Sequence, residues 1–164
     1  MDAKLRISNS DDGNRMNIDA VDLTSLTQWQ HDDVVQLRRR IHRYPELGNH
    51  LPRTRAAVLD SLQGLDLDIH LSQSTSGIVA VLTGHKAGSI TLLRGDMDAL
   101  PMPENTGLEY SSEVEGRMHA CGHDAHTAML SGAARLLSLI KDQVPGSVVL
   151  CFNREKRDRE GPLP

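Results

Sequence analysis

The residue types that could do chemistry in this chain are concentrated in one short stretch, MHACGHDAHTAML, which covers residues 118–130. Cys121 and His123 stand two residues apart across Gly122, just before a segment whose pattern predicts a helix. Because glycine permits a sharp turn, both side chains could reach one ion. A thiolate and an imidazole suit zinc, and imidazole also binds manganese, cobalt or nickel. We therefore predict that Cys121 and His123 bind a metal ion.

Three further polar side chains in this stretch have several roles open to them. His119 and His126 flank the Cys-His pair and could be ligands, residues that orient a ligand, or ordinary surface residues. Asp124 could cap the helix, or it could accept a hydrogen bond from a metal-binding imidazole and so hold that ring in place. The simplest alternative for the whole stretch is a loop with a buried structural cysteine, and spacing leaves that alternative open.

Two carboxylates follow a β-rich run in the segment RGDMDALP. In α/β sheets, ligand sites collect at the C-terminal ends of strands, where this segment is expected to lie. Asp96 and Asp98 are two apart, so in an extended strand they point the same way. Two negative charges on the same side repel each other, and a cation, a hydrogen-bond donor or solvent must compensate this repulsion. Both residues are therefore candidates for the same site, although a solvated strand end or a helix cap would give the same pattern.

The elements that position these residues follow from the hydrophobic periodicity. Helical spacing predicts one helix from Leu26 to the segment YPELG, a second from Pro52, and a third from about Asp124 to Lys141. His42, at the end of the first helix, is expected to be a core or capping residue. Short β-rich runs are expected at residues 77–84, 89–100 and 147–152. This order predicts an α/β, three-layer-like domain with a mixed, mostly parallel sheet.

Composition excludes several classes of function. The 164 residues include 2% aromatic residues and carry a net charge of −4, so we expect an aliphatic core and no nucleic-acid partner. No apolar run is long enough to span a membrane, so no membrane partner is expected. The polar N-terminus lacks a signal-like apolar segment, and only two cysteines are present. A cytoplasmic location is therefore expected.

Four motifs together resemble a known family. LRRRIHRYPELG, TSGIVAVLTG, LLRGDMDALPMPE and MHACGHDAHTAMLSGAARLL occur in this order over roughly residues 30–152. They resemble the M20 metallopeptidase family, and within it the amidohydrolase subfamily. That subfamily includes hippurate hydrolases, N-acyl-amino-acid amidohydrolases and plant auxin-conjugate hydrolases. DMDALP followed by MHACGHD is a more specific signature than either motif by itself.

The resemblance implies a fold, an activity and roles for individual residues. The chain would be the truncated N-terminal part of such an enzyme, the first half of a zinc-peptidase-like catalytic domain. It would cleave the amide bond of N-acyl amino acids or related small amides with two divalent ions, Zn or Mn. Cys121 and His123 would bind metal, and Asp98 would have a catalytic role near the metals by orienting a ligand. Asp96, Asp124, His119 and His126 would lie around these residues, and full-length relatives would form homodimers.

The resemblance breaks after Phe152. Relatives continue with a segment resembling QPGEEG, which supplies a general base and a metal ligand, whereas this chain reads NREKRDREGPLP. Codons that encode residues 153–164 can be chosen so that the insertion of one nucleotide after the Phe152 codon shifts the reading frame. The shifted frame then encodes QPGEEGPRGAPT. We therefore predict a one-base frameshift. The chain would divide into a flexible extension at residues 1–25, a partial catalytic domain at 26–152 and a non-homologous tail at 153–164.

As written, the chain is expected to be an inactive fragment, because part of the ligand set and the paired base are missing. The run SVVLCF is expected to form an exposed sheet edge, which favours aggregation. Two alternatives remain. The first is a non-catalytic metal-binding or interaction fragment. The second is an α/β hydrolase in which Cys121 is the nucleophile and His123 or His119 is the base.

Overall fold

Three α-helices and four strands form the part of the chain that this computed structural model describes, residues 23–154. The predicted frameshift tail from residue 155 onward lies outside the described residues. In chain order the elements are α1 (Leu23–Arg43), α2 (Pro52–Ser61), β1 (Asp68–Leu71), β2 (Ile78–Thr83), β3 (Lys86–Asp96), α3 (His123–Leu139) and β4 (Pro145–Asn153). A short 3-10 helix (Lys141–Gln143) links α3 to β4.

The three helices agree with the hydrophobic spacing, with small differences at their ends. Helix α1 begins at Leu23, three residues before its expected start at Leu26, and residues 1–22 of the predicted flexible extension lie outside the described residues. Pro52 occupies the first position of α2, where its missing N–H costs no helical hydrogen bond. Among residues 23–154, no helix combines the length and the apolar character needed to cross a membrane.

The sheet is mixed, as predicted, with the strand order β1-β2-β4-β3. The pairs β1–β2 and β2–β4 are antiparallel, and only β3–β4 is parallel among the described strands. The expectation of a mostly parallel sheet is therefore wrong for this part of the chain. The reason is connectivity: the crossover through α3 makes β3 and β4 parallel, whereas the short segment 72–77 returns the chain antiparallel between β1 and β2.

The core lies on one face of the sheet. Alternate residues of β2 and β4 point to this face and pack against α2 and α3: Ile78, Ala80, Leu82, Val148, Leu150 and Phe152. On the opposite face the side chains of Ile90 and Leu92 are 75% and 63% exposed. The described residues therefore form two layers, and the third layer of the expected three-layer-like architecture is not among them.

Strand β4 lies inside the sheet, which corrects the prediction that SVVLCF would be an exposed edge. Its residues pair with β2 on one side and with β3 on the other. Among the strands of residues 23–154, β3 forms the edge of the sheet next to β4. Strand β1 was not predicted, because its four residues DIHL alternate charge and apolar character over too short a run to indicate a strand.

Candidate metal centre

The candidate site forms where the C-terminal end of β3 meets the N-terminus of α3. The Thr127 hydroxyl donates a hydrogen bond of 2.9 Å to the backbone oxygen of Asp96, which ties the helix to the end of the strand. A Cβ at Gly95 would lie 3.0 Å from the backbone oxygen of His126, so strand and helix approach closely there. This packing places Asp96 beside the first turn of α3.

One group of side chains in the described structure could hold a cation: Asp96, His123 and His126. One ligand atom from each lies within 4.8 Å of the others. Asp96 is half-buried, His123 is buried and His126 is exposed, so the group opens to solvent on one side. Two imidazoles and one carboxylate form a donor set found in catalytic zinc sites, which keep a position open for water or substrate. The same donors also accept manganese or cobalt.

Asp98 fixes the orientation of the His123 ring. The Nδ1 atom of His123 lies 2.8 Å from the backbone oxygen of Asp98 and 3.0 Å from its carboxylate Oδ1. Both oxygens can only accept, so we assign the proton to Nδ1, which leaves the lone pair of Nε2 available for a metal. Asp98 is buried, so this contact is shielded from competing water.

The structure brings most of the predicted site residues together. Asp96 belongs to the cation group, and Asp98, predicted to orient a ligand, contacts His123. His126 belongs to the same group, and its ring lies 5.5 Å from that of His123, centroid to centroid. Cys121 is exposed and is not a member of this group among the described residues. Its role as a metal ligand stays a prediction.

Gly122 makes the turn that precedes α3. It is the N-cap of that helix, with a φ of +80°, in the left-handed region that favours glycine. A Cβ at this position would meet no atom within 4 Å, so only the backbone conformation requires glycine. The sharp turn expected between Cys121 and His123 is therefore present.

Replacing Gly122 is expected to destabilise the fold in a graded way. Gly122→Ala should lower the free energy of unfolding by about 1–2 kcal/mol, because alanine is strained in the left-handed region. Gly122→Asn should cost less, because asparagine tolerates this conformation. Urea denaturation of the two variants and the parent protein measures the difference. Equal stability of all three proteins would show that the turn relaxes freely.

Asp124 joins a buried network behind the site. Its Oδ2 lies 2.7 Å from Nδ1 of His42 and 2.7 Å from Nε of Arg38. The other ring nitrogen of His42, Nε2, lies 3.2 Å from Oε1 of Glu104. The other carboxylate oxygen of Asp124, Oδ1, has no hydrogen-bond partner among the described residues. Asp124 therefore contacts the imidazole of His42, a core residue, and its role behind a metal-binding imidazole stays a prediction.

Glu104 anchors the long loop that leads from β3 into the site. This loop is closed at its base by two backbone hydrogen bonds between Leu100 and Met118, of 2.9 and 3.0 Å. Burial raises the pKa of Glu104, but hydrogen bonds from Thr106, the Ser112 backbone N–H and His42 outweigh it and hold the pKa below its usual value. The role of Glu104 is not predictable from the sequence, since no local pattern distinguishes this residue from other loop glutamates.

His119 is buried in the space between this network and the cation group. Neither ring nitrogen has a hydrogen-bond partner among residues 23–154, and its ring centroid lies 6.2 Å from that of His42. Burial lowers the pKa of His119 to about 4; Asp124 and Asp98 raise it, while His42 and His123 lower it. An unpartnered buried imidazole is costly, so the His119 ring suits a polar group as its hydrogen-bond partner. This observation fits a centre that takes a metal ion or a polar group of a substrate.

The shifted pKa of His119 predicts a pH-dependent stability. Folding lowers this pKa from 6.5 to about 4, so between these values the unfolded chain binds the proton more tightly. The free energy of unfolding should therefore fall by roughly 2–3 kcal/mol as the pH decreases from 7 to 4.5. The variant His119→Gln has no titrating group at this position, so its free energy of unfolding should fall less over the same pH range. Identical pH profiles of the two proteins by urea denaturation would contradict the assignment.

Comparison with protein families gives one match. The family described as Peptidase family M20/M25/M40 matches residues 92–155. The matched stretch contains every predicted site residue: Asp96, Asp98, His119, Cys121, His123, Asp124 and His126.

Curated relatives match a larger part of the chain. Thermostable carboxypeptidase 1 of Saccharolobus solfataricus is 41% identical over 138 residues, which are 84% of this chain and 34% of that protein. An N-acyl-L-amino acid amidohydrolase of Geobacillus stearothermophilus is 40% identical over 73% of this chain and 32% of its own length. IAA-amino acid hydrolase ILR1-like 4 of Arabidopsis thaliana is 44% identical over 74% of this chain and 27% of its own length. The chain thus spans about a third of the length of the relatives it matches.

A solved structure agrees with the fold. The YxeP protein of Bacillus subtilis, described as a dinuclear metal binding peptidase from the M20 family, superposes with a TM-score of 0.73 at 33% sequence identity. The superposition covers 78% of this chain and 36% of that one. The α/β layers described above are therefore similar to part of that peptidase.

Proposed function

Because this chain belongs to the M20 peptidase family, we propose that it is part of a metal-dependent hydrolase that cleaves the amide bond of N-acyl amino acids or related small amides. The names of the relatives support this substrate class. A carboxypeptidase, an N-acyl-L-amino acid amidohydrolase and an IAA-amino acid hydrolase share one reaction, the hydrolysis of an amide that releases an amino acid.

The observation that carries the proposal is the contact between Asp98 and His123 beside Asp96 and His126. Asp98 holds the Nδ1 proton of His123 and leaves Nε2 available, as expected of a metal-binding histidine. We propose that these residues, together with Cys121, hold divalent ions, two in the complete enzyme and either Zn or Mn. Bound divalent ions would polarise the amide carbonyl and lower the pKa of water.

The residues of this chain supply binding and orientation. Asp98 fixes the His123 ring, and the neutral, unpartnered His119 offers a donor and an acceptor to a polar group. No general base is assigned among residues 23–154. Glu155, two residues after Asn153 in the sequence, falls outside the described residues and receives no role.

We propose that the missing base was lost by a one-base frameshift after the Phe152 codon. Strand register supports the location of this base, because Asn153 of β4 pairs with Asp96 of β3. Parallel neighbours end at the same edge of a sheet, so β4 ends beside the cation group to which Asp96 belongs. The glutamates of QPGEEG, read in the restored frame, would enter the site there. The nucleotide sequence across the Phe152 codon tests this, and codons that give an unrelated peptide in the neighbouring frame would refute it.

The function is tested by comparing two proteins: this chain and the product of the same gene with one nucleotide restored. We expect the restored protein to hydrolyse N-acetyl amino acids, to lose activity with a chelator and to regain it with Zn or Mn. The present chain should bind metal without turnover. Metal binding without hydrolysis by both proteins would select the non-catalytic metal-binding alternative. Inactivation by thiol alkylation but not by chelation would select the Cys121 nucleophile.

We also propose a cytoplasmic location, as the cysteine content suggests, and a homodimer for the complete enzyme, as the family resemblance implies. Analytical ultracentrifugation of the restored protein tests the oligomeric state, and a monomer at micromolar concentration would contradict the second proposal.

A further inference from the structure

Both strand-end carboxylates of the candidate centre face an arginine. A guanidinium nitrogen of Arg94, Nη2, directly contacts Oδ1 of Asp96. On the other side, Nε of Arg154 lies 3.6 Å from Oδ2 of Asp98, whose Oδ1 faces His123. The two negative charges that would attract a cation are thus already partly neutralised by residues of the chain.

Arg94 is held in place, although its side chain is 43% exposed. Its Nε donates a hydrogen bond of 2.8 Å to Oδ1 of Asn153, and Nη2 lies 3.3 Å from the backbone oxygen of Arg154. Asn153 is the last residue of β4, which runs parallel to β3 at this point, and Arg154 is the residue that follows it. The guanidinium is therefore directed at Asp96 by the sheet itself, and differs from a surface arginine that moves freely in solvent.

We propose that, in the 164-residue chain, Arg94 and Arg154 set the cation affinity of the group formed by Asp96, His123 and His126; this inference rests on the metal centre of the proposed function. A divalent ion at this group must share the Asp96 carboxylate with the Arg94 guanidinium and is repelled by its charge. Even in water-like surroundings, repulsion between a divalent ion and one positive charge at about 6 Å corresponds to about a tenfold change in affinity. The arginines therefore weaken cation binding.

The opposite role for Arg94 is to orient Asp96 for the metal. The two roles predict changes of opposite sign, so substitution distinguishes them. If repulsion dominates, Arg94→Gln raises the affinity and Arg94→Lys, which keeps the charge, leaves it low. If orientation dominates, Arg94→Gln lowers the affinity and Arg94→Lys restores part of it.

The experiment measures Zn²⁺ affinity by calorimetry and Co²⁺ binding by visible absorption, at fixed pH and ionic strength, in the 164-residue protein. We expect Arg94→Gln and Arg154→Gln each to raise the affinity about tenfold, and the double variant to raise it by up to about 100-fold. The gain should shrink at high salt, because salt screens charges at the surface. Arg135→Gln is the matched control, since Arg135 pairs with Asp33 on the helical side of the domain and should leave the affinity unchanged.

The outcomes separate this inference from the proposed function. An unchanged or lower affinity in both glutamine variants, with urea denaturation showing that they are folded, overturns the inference. The inference is also overturned if neither the parent protein nor the double variant binds metal. The metal centre itself fails if binding is measured but does not depend on His123. If the arginine variants bind metal more tightly and this binding requires His123, the result supports both the inference and the metal centre.

Discussion

Replacing His123 by alanine is expected to lower the divalent-cation affinity of this chain by at least about 100-fold. Loss of a residue that merely orients a metal ligand typically costs roughly 10–100-fold in affinity, and His123 is placed as a ligand itself. It is the buried member of the group with Asp96 and His126, and its ring is already oriented by Asp98. Calorimetry with Zn²⁺ and the absorption spectrum of bound Co²⁺ measure the loss.

Two further variants sharpen this experiment. Asp98→Asn should reduce the affinity by roughly 10–100-fold, because the amide oxygen can still accept from Nδ1 but carries no negative charge to raise the basicity of the His123 ring. His85→Ala is the control, since His85 is an exposed histidine that pairs with Asp142 and lies outside the cation group. If His123→Ala and His85→Ala bind metal equally well, His123 is not part of the centre.

Replacing Asp124 by alanine is expected to destabilise the fold by about 3–5 kcal/mol. The carboxylate is fully buried and lies 2.7 Å from both His42 and Arg38. Its removal leaves a buried imidazole and a partly buried guanidinium without their anion. The cost of keeping these groups buried without a partner exceeds the energy of the ion pair that is lost. Urea denaturation of the metal-free protein measures the effect.

Asp33→Ala provides the matched comparison for this prediction. Asp33 also pairs with an arginine, Arg135, at 3.1 Å, but both side chains reach solvent. Its loss should cost less than about 1 kcal/mol. Asp124→Asn keeps the shape of the side chain and removes only the charge, so an intermediate loss is expected. A cost below about 1 kcal/mol for Asp124→Ala would mean that the network contributes nothing to stability.

The helices and the local part of the site could be predicted from sequence because their signals lie within a few residues. Apolar spacing predicts the three helices, Pro52 predicts the start of α2, and the expected start of the third helix at about Asp124 is one residue from the observed start at His123. The spacing of Asp96 and Asp98 predicts a strand-end pair, and the short spacing between Cys121 and His123 predicts that His123 is a ligand. In each case the determining interaction is local: backbone conformation, helical periodicity or the alternation of a strand.

The parts that could not be predicted depend on contacts between distant residues. The role of His42 is set by Asp124, 82 residues further along the chain, and by Glu104, 62 residues away. Arg94 reaches the site only because β4 lies beside β3 and presents Asn153 to it. Strand order has the same origin, since short apolar runs indicate that strands exist but not which strands become neighbours.

The position of β4 between β2 and β3 has a consequence for how this domain is synthesised. Strands β2 and β3 follow each other in the chain but do not pair, because β4 separates them. A nascent chain that has emerged only as far as α3 therefore has its two longer apolar strands without their common neighbour. We expect the sheet to close late, after residues 145–153 leave the ribosome, and the preceding segments to need protection from self-association until then.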